Sequence, residues 1–285
     1  MNSENSIRIN KYLSQAGVLS RRKADEAIEQ GLITINGITA VAGDKVDPED
    51  VVLYKGQEVK PKTGKKVIIV YNKPLGLVCT SKEADKDSIF RKLDYPGMLY
   101  YVGRLDKNSQ GLLLLTDDGE LSDQIQRSRN NHEKEYVVRV DKPLTREFIE
   151  GMKAGVPLEE RTTKPCKIYR VRQKDRSEHG NGRKKSQDGS NQGGFRGSGH
   201  DENSHIGLHD ENSQRSSEGE YSRYTFRIII TEGINRQIRR MCEYFGYRVV
   251  FLKRVRVMNV KLGKLEVGKY RELTPAEEKE LRSLI

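Results

Sequence analysis

The sequence predicts a chain of mixed α-helices and β-strands in two domains, and three observations support this. The first 60 residues contain both helix and hairpin signals and end at a short polar linker, Lys60–Lys66. The apolar run VIIVYNKP then opens a second unit, which extends to about residue 275. A polar segment at 172–222 interrupts this unit and has too few apolar residues to offset the entropy of ordering.

The N-terminal unit reads as two helices followed by strands. A helical stripe of apolar residues stops at Gly17 and contains Ile7, Ile9, Leu13 and Ala16. Ser20 is a suitable N-cap for the second helix, RRKADEAIEQ, which should stop at Gly31. The strand LITING ends at the turn Asn36-Gly37, and a hairpin-like run continues to Val59.

The polar segment lies between two strand-like runs, Cys166–Val171 and Tyr224–Thr231. We therefore expect a long loop inserted into a hairpin. The string HDENS occurs twice in the segment. Four of the five histidines of the chain also lie there: His179, His200, His205 and His209. Histidines beside acidic residues allow a metal-binding interpretation, but the composition favours a disordered insertion.

The net charge of +11 is concentrated in one part of the chain. Residues 223–271 carry thirteen Lys and Arg against three Asp and Glu, whereas the polar segment carries eight against nine. A basic excess of this size indicates a polyanionic partner such as nucleic acid.

Several classes of protein are disfavoured. No apolar run approaches the roughly 18 residues of a membrane-spanning helix, and MNSENSIRIN does not have the pattern of a signal peptide. The cysteines Cys79, Cys166 and Cys242 form no CxxC pair, so the sequence supports neither a disulfide framework nor a zinc site. We expect a soluble, cytoplasmic protein.

Basic residues cluster in the first helix and in the turn before the second, namely Arg8, Lys11, Arg21, Arg22 and Lys23. If Arg8 and Lys11 share one face of the first helix, the cluster could bind phosphates, although an ordinary solvated surface explains it equally well. The string INKYLSQAGVLSRRKADEAIEQGLITINGITA resembles the S4 RNA-binding domain over about 45 residues. That resemblance implies docking on structured RNA through these cations and Asn36.

A second motif is VGRLDKNSQGLLLLTDDGEL, where an apolar run follows a polar loop. Asp106 stands between Arg104 and Lys107, and a carboxylate beside a fixed cation should stay ionised. Such a group suits a nucleophile or a base, although an Asp in a loop is more often structural.

The string resembles the G-R-L-D-x-x-[ST]-x-G-L-L-L-L-T motif of pseudouridine synthases, which implies that Asp106 is the essential residue. HEKEYVVRV and EGINRQIRRMCEYFGY resemble two further motifs of the same family. They imply that Tyr136 stacks on the target base and that Arg239 pairs with the catalytic carboxylate. Arg104, two residues before Asp106, could help Arg239 to orient that carboxylate. Arg236 and Arg240, on neighbouring faces of a helix starting near Asn235, would then meet RNA phosphates.

The resemblance covers both domains, about 230 residues, and is closest to the RsuA/RluB/RluE/RluF branch of S4-domain pseudouridine synthases. It implies an α+β fold, with an S4 domain at 1–60 and a catalytic domain at 66–275 built on a mostly antiparallel mixed sheet. RVRVMNV and the neighbouring motifs are most similar to the RluF-type group, which acts on large-subunit (23S) ribosomal RNA.

The expected substrate is a uridine in a stem-loop or bulge of ribosomal RNA, and the expected enzyme is a monomer without cofactor or metal. Two alternatives remain open at this point. One is an RNA-binding, ribosome-assembly protein without catalysis, and the other is a synthase for 16S rRNA or tRNA.

Overall fold

The structure, a computed structural model, describes residues 6–60, 64–80, 85–127, 131–172 and 221–285. Its N-terminal part contains two helices, a two-stranded sheet of order β1-β4 and a four-stranded sheet of order β3-β2-β5-β6. The elements are β1 (Ile7–Arg8), α1 (Ile9–Gln15), α2 (Arg21–Glu29), β2 (Ile33–Ile35), β3 (Ile38–Thr39), β4 (Lys45–Val46), β5 (Val52–Tyr54) and β6 (Gln57–Glu58).

Local signals explain most of this part. Ser20 caps α2 by accepting a hydrogen bond from the Lys23 amide at 3.4 Å, and the Asn36-Gly37 turn uses positive φ at both residues. The first helix is shorter than the apolar stripe predicts, because Ile7 and Arg8 pair with β4 as a strand. The prediction that Arg8 lies on the first helix with Lys11 is therefore wrong: Arg8 is the residue immediately before α1.

The larger part is built on a nine-stranded sheet of order β11-β12-β10-β13-β9-β7-β15, with β14 paired to β13 and β8 to β9. Its elements are β7 (Ile68–Lys73), α3 (Ile89–Lys92), β8 (Tyr100–Val102), β9 (Gln110–Thr116), α4 (Gly119–Gln126), β10 (Lys134–Val140), α5 (Arg146–Ala154), β11 (Lys167–Arg172), β12 (Tyr221–Ile230), α6 (Gln237–Tyr244), β13 (Val249–Val257), β14 (Val260–Lys261), β15 (Tyr270–Glu272) and α7 (Pro275–Ser283). The strand pairs are antiparallel except β9 with β13, which confirms the mostly antiparallel mixed sheet.

Strands β7 and β9 are interior strands of this sheet and are apolar on both faces. Ile69 and Leu113 belong to one hydrophobic core, whereas Ile68 and Leu112 belong to another on the opposite face of the sheet. Because successive side chains of a strand point to opposite faces, a strand covered on both sides reads as a continuous apolar run. This explains VIIVY and LLLLT.

The hairpin that flanks the predicted insertion is present. Strands β11 and β12 are antiparallel neighbours, and Arg172 pairs with Tyr221 at the last described residues on each side. The expected disordered insertion itself, with its four histidines, lies outside the described residues. The same is true of the middle of the linker Lys60–Lys66.

The N-terminal helix contacts the larger part directly. The Ser14 and Tyr100 hydroxyls are 2.6 Å apart, and Lys11 pairs with Glu120 at the start of α4. Tyr100 opens strand β8, so α1 touches the strand that leads into the Arg104–Asp106 segment.

In the described ranges, no helix is both long and apolar enough to cross a membrane. Within those same ranges, no group of three or more His, Cys, Asp or Glu residues is placed to hold a metal ion. The expectation that the protein uses neither metal nor cofactor remains a prediction.

The C-terminal helix α7 gives a prediction about acid stability. Glu277 accepts hydrogen bonds from both terminal nitrogens of Arg271 at 2.8 Å and closes a capping box with Thr274. The Arg271 hydrogen bonds lower the pKa of Glu277 from 4.5 to about 2. Glu277→Gln should therefore cost about 1–2 kcal/mol of unfolding free energy at pH 7.

A depressed carboxylate pKa stabilises the fold above the unfolded pKa, and this contribution is lost as pH falls through the folded value. The difference in unfolding free energy between wild type and Glu277→Gln should be constant above about pH 5 and vanish between about pH 4.5 and 2. Urea unfolding across pH measures it, with the exposed Glu266→Gln as the control. An equal loss at pH 7 and pH 2 would contradict this account.

Candidate active site

A cleft of about 500 Å³ opens beside the central strands of the large sheet. Its walls come from the end of β8, the loop before β9, the start of β10, the loop between β12 and α6, and strand β13. The four residues that the sequence predicts to be catalytic, Arg104, Asp106, Tyr136 and Arg239, all line this cleft, as does Arg236.

Asp106 lies in a tight loop that enters β9. The Ser109 amide donates to the Asp106 carbonyl at 3.0 Å, and the Gly76 amide donates to the Lys107 carbonyl at 2.9 Å. Of its two neighbouring cations, Lys107 forms a 2.7 Å ion pair with Asp87, and Arg104 is exposed. The expectation that a sequence neighbour supplies a fixed cation is not met by Lys107.

Two cations from other elements act on Asp106 instead. Lys73, at the end of β7, is fully buried and donates to the Pro74 carbonyl at 2.9 Å. Burial lowers the pKa of Lys73, and the charge of the Asp106 carboxylate is among the influences that oppose that shift. Burial and the like charge of Arg236 lower the pKa of Arg239, and the Asp106 carboxylate again opposes the shift.

Arg239 is fixed by backbone carbonyls. Its guanidinium donates to the Asn108 carbonyl at 2.7 Å, in the Asp106 loop, and to the Val249 carbonyl at 3.2 Å, at the start of β13. The helix that carries it starts at Gln237, two residues later than predicted, because Arg236 adopts a left-handed conformation as the N-cap. This conformation is uncommon for a non-glycine residue, and such strained residues cluster at functional sites.

Tyr136 lies on β10 opposite Ile228 of β12 and Arg254 of β13. Its side chain is largely buried against the main core and also borders the cleft. An aromatic ring in this position can pack against a flat apolar ligand.

Glu232 anchors the loop that precedes α6. Its buried carboxylate accepts hydrogen bonds from the Gln237 side chain at 2.8 Å, the Lys164 amide at 2.8 Å and the Arg161 guanidinium at 3.0 Å. These contacts fasten both ends of the loop that carries Arg236.

Unpartnered polar atoms concentrate in the cleft. Among the described residues, seven buried side-chain nitrogen or oxygen atoms have no hydrogen-bond partner, and four of them belong to cleft-lining residues: Ser109 Oγ, His132 Nε2, Arg239 Nε and Arg254 Nη2. Buried polar atoms are normally satisfied, so this concentration marks a site for a polar ligand. Burial, together with the charge of Lys134, lowers the pKa of His132.

The predicted RNA-binding residues outside the cleft differ in their surroundings. Arg8, Arg21, Arg22 and Lys23 are exposed. Arg240 is bound bidentately to Glu160 and does not line the cleft, and Lys11 is paired with Glu120. The Asn36 amide bonds to Asp50 and to the Val51 amide within its own domain.

Sequence reasoning missed four cleft or near-cleft residues: Lys73, His132, Glu232 and Arg254. Lys73 did carry a signal, because a lysine at the end of an otherwise apolar strand is unusual. Glu232 and Arg254 lie inside motifs that were recognised, but their contacts depend on distant segments.

Comparisons with known proteins agree with this geometry. Residues 67–244 match the family described as RNA pseudouridylate synthase, and residues 7–52 match the S4 domain. The chain is 40% identical over 283 residues to the dual-specificity RNA pseudouridine synthase RluF of Escherichia coli (strain K12), covering 99% of this chain and 80% of that protein.

A second curated relative is the ribosomal large subunit pseudouridine synthase B of Bacillus subtilis (strain 168). It is 30% identical over 280 residues, covering 97% of this chain and 96% of that protein. Among solved structures, a pseudouridylate synthase crystal structure superposes with a TM-score of 0.59 at 27% identity, covering 98% of this chain and all of that one.

Proposed function

Because the chain belongs to the RNA pseudouridine synthase family and carries an N-terminal S4 domain, we propose that it isomerises a specific uridine of 23S ribosomal RNA at Asp106. The assignment of Asp106 as the reacting residue rests on one observation, which is that the three predicted residues meet in one cleft. Asp106, Tyr136 and Arg239 come from three separate elements, and all line the same cleft.

The reaction breaks the N1–C1′ bond of uridine and joins C1′ to C5 of the same base, with a proton lost from C5 and one gained at N1. Product and substrate are isomers, so the chemistry needs no redox step, and we propose none. The Asp106 carboxylate acts on the ribose, either by adding to C1′ or by removing the C2′ proton. Lys73 and Arg239 each interact electrostatically with this carboxylate.

The detached base must stay in place while it turns. Tyr136 supplies an apolar surface for it, and the unpartnered atoms of Ser109 and His132 offer hydrogen bonds at the cleft wall. The target must leave the RNA stack to enter the cleft, and extrusion costs least in a stem-loop or bulge. We propose such a context for the target uridine.

Carbodiimide mapping tests the assignment. Ribosomal RNA from a strain that lacks the protein should lose one or more pseudouridine stops, and the purified protein should restore them on RNA transcribed in vitro. Loss at a 23S site supports the proposed target. Loss confined to 16S rRNA or tRNA would move the target, and retention of every site would contradict the assignment. The name of the 40% identical relative contains the words dual-specificity, so the mapping should also search for a second target RNA.

We propose that the exposed first turn of α2, which begins with Arg21 and Arg22, binds RNA phosphates. Arg21→Gln with Arg22→Gln should raise KM for RNA about tenfold near 0.15 M salt and reduce the salt slope of binding by about two, since each phosphate contact contributes about one. The kcat at saturating RNA should not change, because neither arginine lines the cleft. The exposed pair Arg91→Gln with Lys92→Gln on α3 removes equal charge and serves as the control. An equal effect of both pairs would leave only net charge as the cause.

The remaining site residues extend the same proposal. Arg236 lines the cleft and Arg8 is exposed, and we propose that both meet the RNA. Arg240, Lys11 and Asn36 would need to exchange or share their present contacts to bind RNA. A ribosomal RNA substrate implies a cytoplasmic enzyme. We further propose that it acts as a monomer, which sedimentation of the purified protein measures.

A further inference from the structure

We propose that Arg254 is a positioning residue that sets the location of the Asp106 loop relative to Tyr136. This inference rests on the proposed function, because it assigns Arg254 a part in the same reaction. The guanidinium connects the two ends of the loop that carries Asp106, and its own strand lies between the strands of Asp106 and Tyr136.

The direction of the Arg254 side chain comes from a β-bulge. Strand β13 pairs Arg256 with Glu135 and Arg254 with Tyr136, so Val255 has no partner on β10. Without the bulge, Arg254 and Arg256 would share one face, since residues two apart in a strand point the same way. With it, Arg254 faces the cleft beside Tyr136, and Arg256 faces the other side of the sheet.

The Arg254 guanidinium contacts backbone carbonyls on both sides of the Asp106 loop. Its Nε donates to the Leu112 carbonyl at 2.7 Å, after the Asp106 loop, and its Nη1 contacts the Arg104 carbonyl at 3.4 Å, before that loop. The side chain is only 2% exposed, and Nη2 has no partner within the described residues. One rigid planar group therefore contacts the backbone on both sides of the Asp106 loop, and its Nη2 nitrogen keeps unpaired N–H donors beside the cleft.

The backbone of Arg254 is equally close to this loop. Arg254 pairs with Gly111 across the parallel strands, and a Cβ on Gly111 would lie 2.2 Å from the Arg254 carbonyl oxygen. Side chain and backbone of the same residue thus both contact the segment that follows Asp106.

The charge of Arg254 distinguishes it from other arginines of the sheet. Arg256 is neutralised by Glu133 and Glu135 at 2.9 Å, whereas Arg254 has no carboxylate partner in the described parts of the chain. Burying an unpaired guanidinium is costly. Burial lowers the pKa of Lys134 and of Lys73, and the positive charge of Arg254 lowers both further; Lys73 is the lysine that also interacts with Asp106. Stability alone does not account for such a group, whereas a role in fixing the reactive loop does.

Arg254→Lys keeps the charge but cannot span two carbonyls, and Arg256→Lys is the matched control on the same strand. For Arg254→Lys we expect kcat to fall about 100-fold, with KM for RNA within about twofold, because a displacement of about 1 Å at a catalytic group costs this much. Amide hydrogen exchange in residues 105–111 should accelerate in the free protein. Arg256→Lys should lower the melting temperature without either effect.

Turnover and amide hydrogen exchange distinguish a failure of the proposed function from a failure of the role given to Arg254. Wild-type protein that makes no pseudouridine would refute the proposed function, while hydrogen exchange would still decide whether Arg254 fixes the loop. A fall in kcat no greater than that of Arg256→Lys, or a rise in KM with kcat unchanged, would overturn the inference. If Arg254→Lys does not fold, Arg254→Gln, which can still donate one bond to Leu112, is measured in the same two ways.

Discussion

Asp106→Asn should lower pseudouridine formation by at least about 10³-fold while RNA affinity stays within about twofold. The substitution preserves the shape of the side chain but removes the negative charge, so it can neither add to C1′ nor accept a proton. RNA binding should persist because the cations of the cleft and of the N-terminal domain are untouched. Nucleoside analysis of digested RNA measures the product, and filter binding measures affinity.

The matched control for this variant is Asp87→Asn. Asp87 pairs with Lys107, next to Asp106 in the chain, but does not line the cleft. Removal of its charge should leave kcat within a few-fold of wild type. Residual isomerisation above about one part in a hundred in Asp106→Asn would rule out the carboxylate as the reacting group.

Gly111→Ala should have the largest effect on stability, about 3 kcal/mol or a failure to fold. Gly111 has φ of +110°, and its Cβ would meet the Arg254 carbonyl oxygen at 2.2 Å and the Arg254 nitrogen at 2.8 Å. A backbone contact of this kind cannot be relieved by turning a side chain. The loss of unfolding free energy is therefore the sum of two contributions, the backbone strain of the left-handed region and the forced separation of β9 from β13.

Gly97→Ala isolates the contact. Gly97 has a similar φ of +118°, but nothing lies within 4 Å of its Cβ position. Gly97→Ala should lower the unfolding free energy only by the backbone strain at this φ, about 1–2 kcal/mol. Urea unfolding of the two variants gives the difference, and equal losses would mean that the close approach of the strands costs nothing.

Local features of the fold were predictable from the sequence because short-range physics determines them. The Ser20 cap, the Asn36-Gly37 turn and the buried runs VIIVY and LLLLT correspond to elements of the structure. The family motifs also predicted which residues would meet, and Asp106, Tyr136 and Arg239 do line one cleft.

What the sequence could not predict depends on register and on distant partners. The β1 pairing that removes Arg8 from the first helix needs Val46 and Lys45, some 38 residues away. Lys107 pairs with Asp87 because a separate loop passes beside it. The direction of Arg254 depends on a one-residue bulge, which an alternating pattern does not reveal.

The parallel pairing of β9 with β13 also determines when the enzyme becomes competent as the chain grows. Tyr136 and the Asp106 loop belong to strands that do not touch each other, and β13, ending at Val257, is the strand between them. Parallel neighbours need a long crossover, and contacts at such sequence separation form late. A nascent chain that has emerged only as far as α6 already contains Asp106, Tyr136 and Arg239 but has no strand to bring them together. The cleft is complete only after β13 has paired with both β9 and β10.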